Sequence, residues 1–75
     1  MEIVFSKYSI ISSGKFVVFD TASGGYPVLT NNPITSGSGN GVWNSEKDAV
    51  LFLEAAKRLY PDARVVCISL YWSEL

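Results

Sequence analysis

Apolar and β-branched residues dominate the first stretch, Glu2-Ile3-Val4-Phe5-Ser6-Lys7-Tyr8-Ser9-Ile10-Ile11, and Ser12-Ser13-Gly14 then supplies turn chemistry. A strand over Glu2–Ile11 closing into a hairpin is expected. The partner strand, Lys15–Thr21, contains the continuous run Phe16-Val17-Val18-Phe19, which suits a strand covered on both faces and therefore central in its sheet. Ala22-Ser23-Gly24-Gly25 reads as a second turn and Tyr26–Thr30 as a short strand. Pro27 has no N–H to donate, which confines that strand to a sheet edge. Asn31–Gly41, with Asn31-Asn32-Pro33 and Gly37-Ser38-Gly39-Asn40-Gly41, has no periodicity and reads as a long mobile loop.

Ser45 followed three residues later by Asp48 predicts a helix start of capping-box type, with Glu46 and Asp48 suiting the positive end of the helix dipole. Steps of about 100° per residue gather Ala49, Val50, Phe52, Leu53, Ala56, Leu59 and Tyr60 on one broad face, with Lys47, Glu54 and Arg58 opposite. Leu51 falls among the charges. Pro61 ends the helix, because the residue before a proline is pushed out of the helical region. Arg64–Trp72 returns as a strand, with Val66, Ile68, Leu70 and Trp72 on one face and Val65, Cys67, Ser69 and Tyr71 on the other. The expected fold is therefore a single α+β domain over residues 1–75: a small antiparallel sheet, built in the order β-β-β-α-β, with one helix packed on one face. The last strand is expected beside the hairpin. One helix cannot cover both faces of the sheet, so the other is expected to stay open.

Composition sharpens this picture. A chain of 75 residues buries only about 60% of its unfolded surface. Such chains usually recruit disulfides, a metal, an unusually apolar core or self-association. Cys67 is the only cysteine and there is no histidine, which leaves an apolar core, association, or both. With 48% hydrophobic and 17% charged residues, some apolar surface is expected to remain exposed. A net charge of −1 with six scattered basic residues argues against a nucleic-acid binder. The segment Met1–Phe5 lacks a basic region followed by a long apolar run, so neither a signal peptide nor a membrane span is expected. One free thiol suits a reducing cytoplasm.

Motifs that could carry chemistry fall short on inspection. Phe19-Asp20-Thr21-Ala22-Ser23 approaches the aspartic-protease signature, but Ala22 stands where that motif needs glycine, and Asp-Thr before a glycine turn is ordinary turn chemistry. Gly37-Ser38-Gly39-Asn40-Gly41 lacks the spacing of a dinucleotide fingerprint and has no Walker lysine after it. Cys67 has no histidine or second cysteine to activate it and reads as a small packed hydrophobe. Scattered carboxylates without imidazole form no metal site, so neither cofactor nor metal is expected, and no enzymatic activity. Aromatic residues are the remaining signal. The phenylalanines, Trp43 and Tyr60 suit the core, whereas Tyr8, Tyr26, Tyr71 and Trp72 alternate with polar residues or lie near strand ends, where exposed Tyr and Trp anchor protein interfaces. With Leu51 and the loop residues Asn31, Asn32 and Asn40, they form the expected partner-binding set.

The stretches Lys15-Phe16-Val17-Val18-Phe19-Asp20, Gly25-Tyr26-Pro27-Val28-Leu29-Thr30-Asn31-Asn32 and Val42-Trp43-Asn44-Ser45-Glu46-Lys47-Asp48-Ala49 resemble small orphan proteins of bacteriophages and prophages, some anti-CRISPR proteins among them. That resemblance spans most of the chain and transfers no site residue. It implies a host-directed inhibitor that occupies a surface on a bacterial protein or protein complex, in the cytoplasm of the host. Two other readings stay open. One is a homo-oligomeric accessory module, for example a homodimer, that consumes its uncovered sheet face by self-association. The other is a small-ligand or nucleic-acid binder using the glycine-rich loop.

Overall fold

A computed structural model describes the backbone of residues 2–20, 24–33 and 40–73, and the side chains of those residues except 2–5 and 70–73. Its elements are β1 (Glu2–Ser12), β2 (Lys15–Phe19), β3 (Pro27–Thr30), α1 (Glu46–Leu59) and β4 (Arg64–Ser73). The four strands form one antiparallel sheet in the order β3-β2-β1-β4. The β-β-β-α-β architecture is the one expected from the sequence, with β2 internal, β4 beside the hairpin, and β3 at an edge opening on Pro27. β2 closes at Phe19; Thr21, Ala22, Ser23 and loop residues 34–39 lie outside the described residues.

The β1–β2 hairpin turns on Ser13 and Gly14, whose φ angles of 53° and 76° are both positive. Two consecutive left-handed residues make the turn that matches the twist of paired strands. Serine adopts this region reluctantly, and Asp62 holds it there. The Asp62 carboxylate accepts from the Ser12 hydroxyl and from the backbone N–H of Ser13, the latter at 3.1 Å. The loop that follows α1 is thereby tied to the tip of the hairpin, some fifty residues away in sequence.

Beyond its tip the hairpin splays. Only Ile11–Phe16 and Ser12–Lys15 pair directly between β1 and β2. The opening is filled by the segment 40–43. Asn40 exchanges both backbone hydrogen bonds with Phe19, each 2.8 Å, and Trp43 does the same with Tyr8, at 2.9 and 2.8 Å. Both bridges are antiparallel. Since β1 and β2 run in opposite directions, a segment antiparallel to each must reverse between its ends, and it bends at Gly41. Gly41 is buried, and its carbonyl accepts from the Ser9 hydroxyl at 2.6 Å. A Cβ there would press into the Pro33 carbonyl and the Val18 methyl far inside van der Waals contact.

This wedge delivers Trp43 to the core. Ile10, Val17, Phe19, Trp43, Ala49, Ala56 and Ala63 form the buried cluster, with Tyr8, Leu29, Phe52, Leu53, Tyr60 and Val65 packed around it. Trp43, Phe19 and Phe52 make an aromatic trio, with centroids 5.1 to 6.3 Å apart and tilted or edge-on rings. Such pairs contribute about 1 kcal/mol each beyond area burial. Helix α1 is capped by Ser45, whose hydroxyl accepts from Asp48 N–H at 3.2 Å, and ends at Tyr60 ahead of Pro61. Ala49 and Ala56 are fully buried, and these small residues let the helix axis approach the sheet closely.

Three expectations are corrected. Val50 and Leu59, placed on the apolar helix face by periodicity, are 46% and 54% exposed, because the close alanine contact leaves the flanks of that arc beyond the sheet. Cys67, expected to be a packed hydrophobe, is exposed, on the same face of β4 as the core-packed Val65 and one alternation further along. The open face is also smaller than expected, since Ser9 and Val18, which point away from the helix, are buried beside Gly41.

Gly41→Ala is expected to destabilise the fold by about 3 kcal/mol in urea titration, as overpacking against backbone does. Asp62 gives a pH signature. The Ser12 hydroxyl, followed by the Ser13 N–H and opposed by desolvation, holds its carboxyl below the ordinary value of 3.8. A lowered folded value means that the stabilisation is complete above 3.8 and is lost as pH falls through the folded value. The melting temperatures of wild type and Asp62→Ala should therefore differ at neutral pH, and the difference should shrink as pH falls below 3.8.

Candidate functional site: an apolar groove beside helix α1

The flank of α1 that the sheet leaves uncovered is organised. Leu51, Ala55 and Leu59 are spaced four residues apart and so form one ridge along the helix. All three are exposed, Leu51 at 71%. Between this ridge and the start of β3 runs a groove of about 400 Å³, lined by Phe19, Gly25, Tyr26, Pro27, Phe52, Ala55, Arg58 and Leu59. Phe19 and Phe52, two members of the core aromatic trio, connect it to the core.

The opposite wall is set by backbone chemistry. Gly24 and Gly25 have φ angles of 72° and 82°, a conformation that favours glycine, and the Gly25 N–H bonds to the Asp20 carbonyl at 3.0 Å. This turn presents Tyr26, 70% exposed, at the lip of the groove. The Tyr60 hydroxyl donates to the Pro27 carbonyl at 3.3 Å and fixes the end of the helix to the start of β3, so the two walls are tied together. Arg58 places a cation at the rim of this otherwise apolar lining.

Of the residues expected to meet a partner, Tyr26 lies in the groove wall and Leu51 extends the helix ridge by one turn. Tyr8 is half-buried against the core and bonded to Trp43 through its backbone. Asn31 and Asn32 are exposed at the end of β3, and the Asn32 N–H reaches the Thr30 hydroxyl at 3.4 Å. Asn40 is exposed, but its backbone is spent on Phe19. Tyr71 and Trp72 pair through their backbones with Val4 and Ile3, and their side chains lie outside the described residues. Sequence reasoning missed Leu59, Arg58 and Ala55. The i, i+4, i+8 spacing of Leu51, Ala55 and Leu59 was a visible signal, hidden because Leu59 also fits the core-facing arc.

Among the described residues no group of three or more acids and thiols converges, and no helix is long and apolar enough to cross a membrane. The groove can do one thing chemically: remove apolar surface of another molecule from water, with a guanidinium available to an acidic neighbour.

Because Tyr26 and Leu59 are exposed, Tyr26→Ser and Leu59→Ser are expected to alter folding stability by no more than about 0.5 kcal/mol in chemical denaturation. Phe52→Ala, which removes a ring packed on Phe19 and Trp43, should cost about 3 kcal/mol. No family model, no curated protein and no solved structure matches this chain.

Proposed function

We propose that this chain is a non-enzymatic protein-binding module whose docking surface is the groove between α1 and β3. The observation that carries the reading is the groove, with Tyr26 on one lip and the Leu51-Ala55-Leu59 ridge on the other. Exposed tyrosine and leucine around an aromatic base expose apolar area that folding does not use, and an interface recovers it. The resemblance to small phage proteins makes a bacterial protein complex the partner class, with surface occupation as the mode of inhibition. Arg58 at the rim suits an acidic border on that partner and contributes more to the rate of encounter than to residence.

The test is capture from bacterial lysate with tagged wild type, Tyr26→Ser and Leu59→Ser, followed by binding measurements on the purified captured protein. The expected result is at least a tenfold loss of affinity in each variant, equivalent to about 1.4 kcal/mol, with Arg58→Glu mainly slowing association. A partner that binds both serine variants as tightly as wild type would overturn the groove as docking surface. The groove volume also falls within the range of small-ligand sites. An apolar anion that displaces the captured protein from the groove would favour that second reading.

A further inference from the structure

The two edges of the sheet are built differently. β3 is four residues long and begins with Pro27, two devices that discourage further strand pairing. β4 has neither. It runs ten residues, pairs with β1 without a bulge from Glu2–Ser73 to Ile11–Arg64, and from Val65 to Ser73 contains no charge, proline or glycine. Among the described residues, no segment pairs with its outer edge.

The backbone groups on that edge can be assigned. Tyr8 spends both its N–H and its C=O on Trp43, on the side of β1 away from β4. Tyr8–Cys67 is therefore a pair without mutual hydrogen bonds, and Cys67 points its own N–H and C=O outward. Alternation extends this to Val65, Ser69, Tyr71 and Ser73. Five residues thus offer a regular row of donors and acceptors that an extended strand satisfies.

We infer that β4 pairs antiparallel with β4 of a second copy of this chain, on a two-fold axis through Ser69. Ser69 is the midpoint of the outward row, so this register pairs every outward N–H and C=O of both strands, with Cys67 opposite Tyr71 and Val65 opposite Ser73 of the other copy. A two-fold axis between two copies of one strand edge gives antiparallel pairing, and two-fold dimers are the commonest closed oligomers. Cys67 and Ser69 are exposed, so no helix obstructs the approach. The product is a continuous eight-stranded sheet whose only remaining edges are the two protected β3 strands. The two α1–β3 grooves then lie at its opposite ends, about seven strand spacings or roughly 34 Å apart, and one dimer presents both.

The experiment has two parts. Light scattering on a sizing column from about 5 to about 500 μM should move wild type from monomer to dimer, since association follows mass action. Ser69→Lys, a surface substitution that sets two ammonium groups against each other on the axis, should stay monomeric with an unchanged circular dichroism spectrum. Register is read by oxidation. In Cys67→Ser with Ser69→Cys, the two thiols face each other across the axis at a Cα separation of about 5.5 Å, within the roughly 4.4 to 6.8 Å a disulfide spans, and a covalent dimer should form. Wild-type Cys67 lies about 13 Å along the strand from its counterpart and should not crosslink. A wild type monomeric at every concentration, a dimer indifferent to Ser69→Lys, or a dimer whose residue-69 thiols fail to join would each overturn the inference. Groove binding by monomeric Ser69→Lys is measured separately, so the failure of one reading is distinguishable from that of the other.

Discussion

The fold depends on a gap. β1 and β2 leave the hairpin tip as partners and then separate, and the chain returns after β3 to fill the space with Asn40–Trp43. That insertion is possible because one residue in it has no side chain: Gly41 sits where the Pro33 carbonyl, Val18 and the Ser9 hydroxyl close in together. Without the wedge, the inner edges of two strands would hold buried backbone groups with no partner, a cost folding cannot carry in so small a domain. With it, the same four residues satisfy Tyr8 and Phe19 and place the largest ring in the core.

The consequences run in both directions from the wedge. On the helix side, Trp43 packs against Phe19 and Phe52, and those two rings line the α1–β3 groove. On the other side, Gly41 and Pro33 bury Ser9 and Val18, covering with loop backbone part of the sheet face the helix cannot reach. A second long-range tie, Asp62 on the hairpin tip, fixes where β4 begins relative to β1. A chain without disulfides is thus stabilised by polar contacts of high sequence separation and by aromatic packing.

This arrangement leaves apolar surface at the margin of the helix. The alanine pair that draws α1 onto the sheet commits a narrow strip of the helix to the core and strands the flanking Leu59 in solvent, beside Tyr26. Burying Ala49 and Ala56 and exposing Leu59 is the reverse of what maximal burial would choose. Tyr26 and Leu59 line one groove, and Leu51 stands one helical turn beyond it.

Strand identity, helix limits and the antiparallel α+β class were legible in the residues themselves, because alternation, the Ser45 cap, Pro61 and the Ser13-Gly14 turn act within a few positions of one another. Pro27 likewise announced an edge strand by lacking a donor. The depth of each helix residue was not legible: periodicity gives an angle around the axis, and only the sheet's extent decides which part of the arc is covered, which is why Val50 and Leu59 are exposed; alternation likewise gave Cys67 a face of β4 but not whether that face is covered. The insertion of residues 40–43 was least legible of all. It depends on two strands far away in sequence diverging by one chain's width, and the glycine-rich stretch that permits it reads locally as nothing more than a loop. Local chemistry determined the elements; the groove and the wedge exist only where separated elements meet, and tertiary structure alone decided them.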